Sequence, residues 1–221
     1  MNDRLDAQPR LITLEGGEGA GKSTALSAVR ALLEATGREV VVTREPGGTP
    51  LAEQLRNLVL HAKSPELGGE PLSAEAELLM VFAARAQHVR QVIAPALARG
   101  AWVLSDRFTD SSFAYQGGGR GLDVPWIADL ERRVVGFVPG LTLWLDVPVA
   151  IGRARALGRG GAPDNIEREQ DAFFERVRAG FAARAAAQPQ RFARIDAAQP
   201  LDAVVQAVEA AVSAHLRQEA A

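Results

Sequence analysis

The glycine-rich segment at residues 16–23 constrains the fold of this chain more than any other feature. Its sequence, GGEGAGKS, fits the pattern G-x-x-x-x-G-K-[ST], in which backbone N–H groups turn inward around a polyphosphate. An apolar run at residues 11–14 precedes the segment, and a helix-like stretch at residues 24–36 follows it. The order strand, loop, helix is that of a phosphate-binding loop, which places the phosphate at the positive end of a helix dipole.

The polar residues of the loop have chemical roles in this interpretation. The Lys22 ammonium would contact the β- and γ-phosphates of a nucleotide, and the Ser23 hydroxyl would bind Mg²⁺. The predicted nucleotide contacts are Gly16, Gly17, Glu18, Gly19, Ala20, Gly21, Lys22, Ser23 and Thr24.

Composition limits the other classes of function. A chain of 221 residues with 47% hydrophobic content can bury one core, so we expect a single domain over residues 1–221. A formal net charge of -2 provides no broad cationic surface for nucleic acid or for an anionic membrane. The absence of cysteine excludes disulfides and thiolate metal sites. Without a long apolar stretch or a signal peptide, a cytoplasmic protein is expected.

Strand and helix patterns alternate along the rest of the sequence. Further short apolar strands are predicted at residues 39–43, 101–105, 141–145 and about 191–195. Helices are predicted at residues 50–60, 73–99, 125–135, 148–157, 166–188 and 200–217, with a glycine loop at 117–119. This alternation predicts an α/β fold of the P-loop NTPase type, a three-layer sandwich with a five-stranded parallel sheet and helices on both faces. The ligand should lie at the carboxyl ends of the strands, beside a mobile lid at about residues 152–166.

Two charged residues follow the third predicted strand. Asp106 could hold the magnesium shell, or it could cap the helix that begins near Phe108. Arg107 could bind a phosphate at the mouth of the same cleft, or it could form a structural salt bridge. A phosphate-binding loop alone indicates a nucleotide but not a reaction, so these neighbouring groups decide the class of enzyme.

Five segments occur together in one order from about residue 10 to about residue 216. They are the phosphate loop with its internal Glu18, TREPGGT at residues 43–49, FAARAQH at 82–88, DRF at 106–108 and YQGGGRG at 115–121. In these segments the chain resembles the bacterial thymidylate kinases, the lid-arginine branch of the P-loop nucleoside monophosphate kinases. The resemblance implies that ATP and dTMP react to give ADP and dTDP with Mg²⁺, in dTTP synthesis for DNA replication, and that the protein is a homodimer.

The resemblance also implies residues that bind the phosphate and sugar of dTMP. Arg107 would bind the dTMP phosphate, and Arg44 would either support that contact or brace its own loop. Glu18 would meet the sugar 3'-hydroxyl and magnesium-bound water. Arg120 would bind phosphate or brace its loop. Tyr115 would crowd the 2' carbon and thereby select deoxyribose.

The base would be read by side chains from two helices. Phe82 and Arg85 lie three residues apart on one helix face, so a ring could stack on thymine while a guanidinium bonds its carbonyl. A lone phenylalanine on such a helix would otherwise belong to the core, and only the resemblance favours stacking. Ser112 and Gln116 would address the base edge, and Ser111 belongs to the same predicted substrate-binding set.

Gly17 cannot supply a charge to the transferred phosphoryl group. The resemblance implies that Arg159 of the lid supplies it, and that Arg155 binds ATP beside the loop near Asp196 and Ala197. The catalytic set is therefore Lys22, Arg159, Arg107 and Glu18. The lid is one residue longer than usual in the family, and Asn165 stands where an arginine often follows Asp164.

Two other functions remain open from the residues. One is a kinase for another nucleoside monophosphate or for a deoxynucleoside. The other is a nucleotide-binding switch without acceptor chemistry, although the guanine-reading motif Asn-Lys-x-Asp of such switches is absent.

Overall fold

The computed structural model describes residues 5–65, 69–158 and 164–219. Within these residues, five parallel strands form one sheet in the order β2-β3-β1-β4-β5. The strands are β1 Asp6–Glu15, β2 Val40–Arg44, β3 Trp102–Asp106, β4 Phe137–Asp146 and β5 Phe192–Asp196. The five-stranded parallel sheet predicted from the sequence is confirmed.

Helices connect the strands. The α-helices are α1 Lys22–Glu34, α2 Pro50–His61, α3 Ala74–His88, α4 Ala94–Ala98, α5 Thr109–Ser112, α6 Val124–Leu130, α7 Val149–Leu157, α8 Asp171–Ala187 and α9 Leu201–Glu219. Wider π-helical turns occur at Val89–Ile93, Phe113–Gly119 and Glu131–Val135. No helix among the described residues is long and apolar enough to cross a membrane.

Both faces of the sheet are buried, as the alternation along β1 shows. Ile12 and Leu14 are fully buried in a cluster with residues of α1 and α9. Leu11 is fully buried on the other face, in a cluster with Val103 and Ile93. Each such side chain contributes about 1.5–3 kcal/mol when it leaves water. The two layers of helices therefore hold β1 at the centre of the sheet.

The register aligns the carboxyl ends of the strands. Leu14 of β1 lies beside Asp106 of β3, and Asp106 lies beside Arg44 of β2. On the other side, β1 reaches Trp144, two residues before the end of β4. Glu15 and the loop that follows it are thus flanked by charged strand ends, as parallel topology requires.

The glycines at 117–119 do not form the predicted loop, because they complete the π-helical turn Phe113–Gly119. A Cβ at Gly118 would lie only 2.6 Å from the Arg176 carbonyl oxygen of α8. The absence of side chains allows this turn to approach the backbone of α8. The pattern that resembles a loop in sequence is therefore a close helix contact in the fold.

Helix ends follow their capping residues. The Thr49 and Ser73 side chains accept hydrogen bonds from the N–H groups of Ala52 and Ala76, at the starts of α2 and α3. The chain is helical through residue 98 as predicted, and its wide turn at Val89–Ile93 lies just before Pro95, which has no N–H to donate.

The helix predicted from residue 166 begins at Asp171 instead. The Asp164 carboxylate accepts the N–H groups of Ile166 and Glu167, each at 2.8 Å. A side chain that binds the backbone two and three residues ahead favours a turn over a helix.

Candidate active site

The phosphate loop lies between β1 and α1, with Lys22 as the first residue of that helix. The half-buried Lys22 ammonium donates to the carbonyl oxygens of Gly16 at 3.2 Å and Gly17 at 3.1 Å. Burial, and next the positive charge of Arg107, lower the pKa of Lys22 to about 8. The Lys22 ammonium is thus bound by loop carbonyl groups, and the phosphates of a nucleotide could take their place as hydrogen-bond acceptors.

The loop rests against the backbone of α7. Gly19 has a φ of 67°, and a Cβ there would lie 2.0 Å from the Gly152 carbonyl oxygen. Only glycine fits this close, left-handed position. The phosphate loop is consequently tied to the helix that leads toward the predicted lid.

Asp106 ends β3 beside the loop. Its Oδ1 atom is buried and has no hydrogen-bond donor among the described residues. The short helix α5 begins without any side-chain cap, so Asp106 does not take the alternative role of a helix cap. Ser23 is exposed at the start of α1. Within the same described residues, no cluster of three or more His, Asp or Glu side chains could hold a metal ion by itself.

Arg107 contacts the phosphate loop and also lines a neighbouring pocket. Its backbone is left-handed, with a φ of 69°, which is unusual for a residue other than glycine. One guanidinium nitrogen donates to the Gly16 carbonyl oxygen at 2.9 Å and to Ser111 Oγ at 3.3 Å. The other donates to Glu18 Oε1 at 3.0 Å. Arg107 therefore forms a salt bridge and also lies at the mouth of the cleft, so the two alternatives for this residue occur together.

Glu15 holds the backbone after Arg107 in place, and this residue was not predicted from the sequence. It is fully buried, and its two oxygens accept hydrogen bonds from the Phe108 N–H at 2.7 Å and from Ser111 Oγ at 2.5 Å. Burial, and next the negative charge of Asp110, raise the pKa of Glu15 to about 8. A carboxyl group at the end of an apolar strand, directly before the loop, was the available signal.

A second pocket lies beside the loop, between α2, α3 and the turn Phe113–Gly119. Seven of the predicted site residues line it: Glu18, Arg85, Arg107, Ser111, Ser112, Tyr115 and Gln116. The lining also contains residues that the sequence interpretation did not include, among them Glu45, Pro46, Arg56, Val81, Asp164 and Ile166. Arg56 is the third arginine of the pocket, after Arg85 and Arg107, and its guanidinium donates to the Pro46 carbonyl oxygen at 2.9 Å.

Arg85 is fixed at the floor of this pocket. It is 2% exposed, and its guanidinium donates to Glu45 Oε2 at 2.6 Å, Ser112 Oγ at 3.0 Å and the Phe108 carbonyl oxygen at 3.1 Å. His88 also contacts Glu45, with 3.0 Å between Nδ1 and Oε1. A guanidinium has further N–H groups to offer a ligand.

Phe82 does not line the pocket. It is 2% exposed and packs in an apolar cluster with Leu78, Phe113 and Ile127. Val81 lines the pocket instead. Neighbouring residues of a helix point to different sides, and the burial of the larger ring decides which of the two enters the core.

Two predicted phosphate ligands, Arg44 and Arg120, also lie outside the lining. Arg44 is exposed and bonds to Glu53 at 2.8 Å, next to the loop that it would brace. Arg120 bonds to Glu77 at 2.9 Å and to Glu169 at 2.5 Å. Both side chains are engaged as braces, one of the two roles left open for each of them.

Tyr115 lies under Arg107. The Arg107 guanidinium carbon is 5.0 Å from the centre of the tyrosine ring. The Tyr115 hydroxyl is buried without a hydrogen-bond partner among the described residues, and burial raises its pKa. The ring therefore forms an apolar wall beside the phosphate-facing arginine.

The lid is described in part. Residues 152–157 belong to α7, and Arg159 lies outside the described residues. Arg155 donates to the Ala197 carbonyl oxygen at 2.8 Å, so it lies beside the loop predicted to neighbour it at the ATP site. Asn165 donates to the carbonyl oxygens of Leu60 at 2.9 Å and Val59 at 3.4 Å, near the end of α2.

Comparison with known proteins gives the same family throughout. The family model for thymidylate kinase matches residues 14–208. A thymidylate kinase of Alkalilimnicola ehrlichii is 56% identical over 205 residues, which are 92% of each chain. One of Pseudomonas putida (strain W619) is 58% identical over 200 residues, which are 90% of this chain and 94% of the relative.

A solved structure agrees with these sequence matches. The crystal structure of thymidylate kinase from Ehrlichia chaffeensis superposes with a TM-score of 0.71 at 34% identity. The superposition covers 94% of this chain and 97% of that one. Since the sequence matches and the superposition extend over most of its length, the chain belongs to the thymidylate kinase family, whose members phosphorylate dTMP to dTDP.

Proposed function

We propose that the protein transfers the γ-phosphoryl group of ATP to the phosphate of dTMP at the carboxyl ends of β1 and β3. The observation that carries this proposal is the position of Arg107. Its guanidinium contacts the phosphate loop at Gly16 and also lines the neighbouring pocket. Two polyanions bound on either side of it would meet with their charges neutralised, which is what phosphoryl transfer requires.

Electrostatics supplies most of the catalysis in this proposal. Lys22 binds the β- and γ-phosphates, Arg107 and Arg56 face the acceptor phosphate, and Glu18 meets the sugar 3'-hydroxyl. The acceptor phosphate oxygen is already ionised, so no general base is needed. A preorganised cation is effective because it needs no reorientation as charge moves in the transition state.

Ser23 and Asp106 would hold Mg²⁺ together with the phosphates of ATP. Support comes from Asp106, whose Oδ1 atom is buried without a donor among the described residues. Carboxylate and hydroxyl oxygens are the ligands that Mg²⁺ prefers, and the ion usually keeps several waters. When bound, the ion supplies positive charge to the transferred phosphoryl group.

The base would occupy the pocket against Val81. Arg85, Ser112 and Gln116 are its polar contacts, and all three line the cavity. Tyr115 would crowd the 2' carbon, since its ring forms a wall of the same cavity. Phe82 and Arg120 would act by supporting the helices that carry these groups.

The chain would form one domain with a mobile lid at about residues 152–166, in which Arg159 meets the transferred group and Arg155 binds ATP. A cytoplasmic location stays a prediction. A homodimer is supported by three exposed leucines on the packed pair α2 and α3, namely Leu51, Leu58 and Leu79.

A coupled ADP-release assay tests the proposal. We expect ADP release that depends on dTMP and exceeds that with dUMP, UMP, dGMP or thymidine at equal concentration. Equal or better turnover of another acceptor would assign a different kinase. ATP binding without acceptor-dependent ADP release would favour a nucleotide-binding switch.

A further inference from the structure

The buried carboxylate of Glu77 has no role in the mechanism above. It nevertheless contacts Gln116, which lines the pocket beside the phosphate loop, hereafter the acceptor pocket. Glu77 is 4% exposed near the start of α3. Its Oε2 atom accepts from Arg120 Nε at 3.1 Å and from a terminal Arg120 nitrogen at 2.9 Å. Its Oε1 atom accepts from Gln116 Nε2 at 2.9 Å.

This contact determines which way the Gln116 amide faces. A carboxylate held by a guanidinium can only accept hydrogen bonds, so the amide atom turned toward Glu77 must be the NH₂ group. The reverse orientation would bring two oxygens together in a buried site, which is costly. Among the described residues, no donor contacts Gln116 Oε1, and Gln116 lines the acceptor pocket. The amide oxygen is therefore the polar atom left for a ligand.

Arg85 adds the complementary group on the same pocket. Its guanidinium is buried at the floor and presents only N–H donors. The pocket thus offers a donor from Arg85 and an acceptor from Gln116. A pyrimidine with a carbonyl beside a ring N–H matches this pair, as thymine and uracil do at O4 and N3. Cytosine has an amino group and a ring lone pair there, so both of its hydrogen bonds would be mismatched.

We propose that Glu77 is a positioning residue that selects the base, by holding the Gln116 amide oxygen toward the pocket. This role of Glu77 rests on the proposed function, because it requires the base of dTMP to lie against Gln116. Glu77 does not touch the substrate in this scheme. Its effect is on discrimination between bases with and without an N–H at position 3, and not on recognition of the thymine methyl group.

The variant Glu77→Gln tests the idea in the full chain. A glutamine at this position can donate as well as accept, so the Gln116 amide can turn over. We expect the ratio of kcat/KM for dTMP to that for dCMP to fall at least about tenfold, the effect of one hydrogen bond. Where turnover of dCMP is too slow to measure, the ratio of dissociation constants replaces it. The ratio for dTMP against dUMP should stay unchanged.

Glu169→Gln is the matched control. It weakens the other ion pair of Arg120 but leaves the contact between Glu77 and Gln116 intact. Its dTMP/dCMP ratio should equal that of the wild type. If Glu77 only anchors Arg120, then Glu77→Gln lowers kcat/KM for all three acceptors by one factor, and that result overturns the proposal. Failure of the proposed function would instead be visible in the wild type, as a lack of dTMP turnover.

A second measurement does not depend on folding of the variant. The side-chain NH₂ signal of Gln116, assigned by its loss in Gln116→Met, can be followed in the wild-type protein without nucleotide. We expect its protons to exchange slowly with solvent because they are held by the buried Glu77 carboxylate. Exchange as fast as that of an exposed glutamine, such as Gln54, would overturn the proposal.

Discussion

Lys22 is the residue on which phosphoryl transfer depends most directly in this site. Lys22→Ala removes the charge from the β- and γ-phosphates but breaks only two hydrogen bonds to loop carbonyl groups. We expect kcat to fall at least about a hundredfold, the scale of one preorganised electrostatic contact, with little change in melting temperature. Steady-state kinetics and a thermal melt provide the measurement. Lys63→Ala, which changes the other, exposed lysine, should keep the wild-type rate, and a near-normal rate in Lys22→Ala would refute the assignment.

Glu15 makes a pH-dependent contribution to stability. Its pKa is about 8 in the folded chain against an ordinary 4.5, so the folded chain keeps a proton that the unfolded chain releases between these values. Stability from this group is therefore complete below pH 4.5 and is lost as the pH rises toward 8. Glu15→Gln keeps the shape and the two hydrogen-bond partners but cannot titrate.

The free energy of unfolding of Glu15→Gln should gain on the wild type between pH 5 and pH 8, by roughly 1.4 kcal/mol for each pH unit. Urea denaturation of both proteins at several pH values measures this difference. Other titrating groups are common to both chains and cancel. A constant difference at every pH would show that Glu15 is ionised in the native protein.

The contact between α8 and the turn Phe113–Gly119 is decisive at the scale of elements, because that turn carries Tyr115 and Gln116. Gly118→Ala places a methyl group 2.6 Å from the Arg176 carbonyl oxygen. We expect a loss of about 1–3 kcal/mol in stability from overpacking, although alanine favours a helix more than glycine does. Thermal and urea unfolding measure the loss, and kcat/KM for dTMP should fall with it.

Gly117→Ala is the control in the same turn. A Cβ at Gly117 would meet only side-chain ends, Ile127 Cδ1 at 3.3 Å and Val124 Cγ2 at 3.6 Å. The Gly117 variant should lose much less stability than the Gly118 variant. Equal losses in the two variants would mean that loss of glycine itself, and not the approach of α8, is responsible.

At the scale of the whole molecule, the parallel sheet places the phosphate loop and the acceptor pocket together at the carboxyl ends of its strands. The helices α2 and α3 are left with exposed leucines. If a second copy covers this surface, Leu58→Glu should shift the mass in analytical ultracentrifugation from dimer to monomer, because a buried unpaired charge is costly. Leu201→Glu changes a leucine that is 56% exposed at the start of α9 and should leave the dimer intact. A monomeric wild type would contradict the homodimer, and a dimeric Leu58→Glu would place its interface elsewhere.

Local signals in the sequence determined the elements and the donor side of the site. The glycine spacing and Lys22 indicate the phosphate loop because the loop is built from consecutive residues that bind through their own backbone. Thr49 and Ser73 mark helix starts because capping reaches only three residues ahead. The order of strands and helices, and hence the parallel sheet, follows from patterns within short windows.

Tertiary structure alone decided the rest of the acceptor side. Val81 rather than Phe82 lines the pocket, and Arg120 braces Glu77 rather than lining that pocket. Glu15 meets Ser111 across 96 positions of sequence, and Gly118 meets α8. These outcomes depend on which distant groups share a buried space, where packing density and hydrogen-bond satisfaction set the energy. A single sequence records the local preference of each residue, whereas the partner of a buried side chain exists only once the chain has folded.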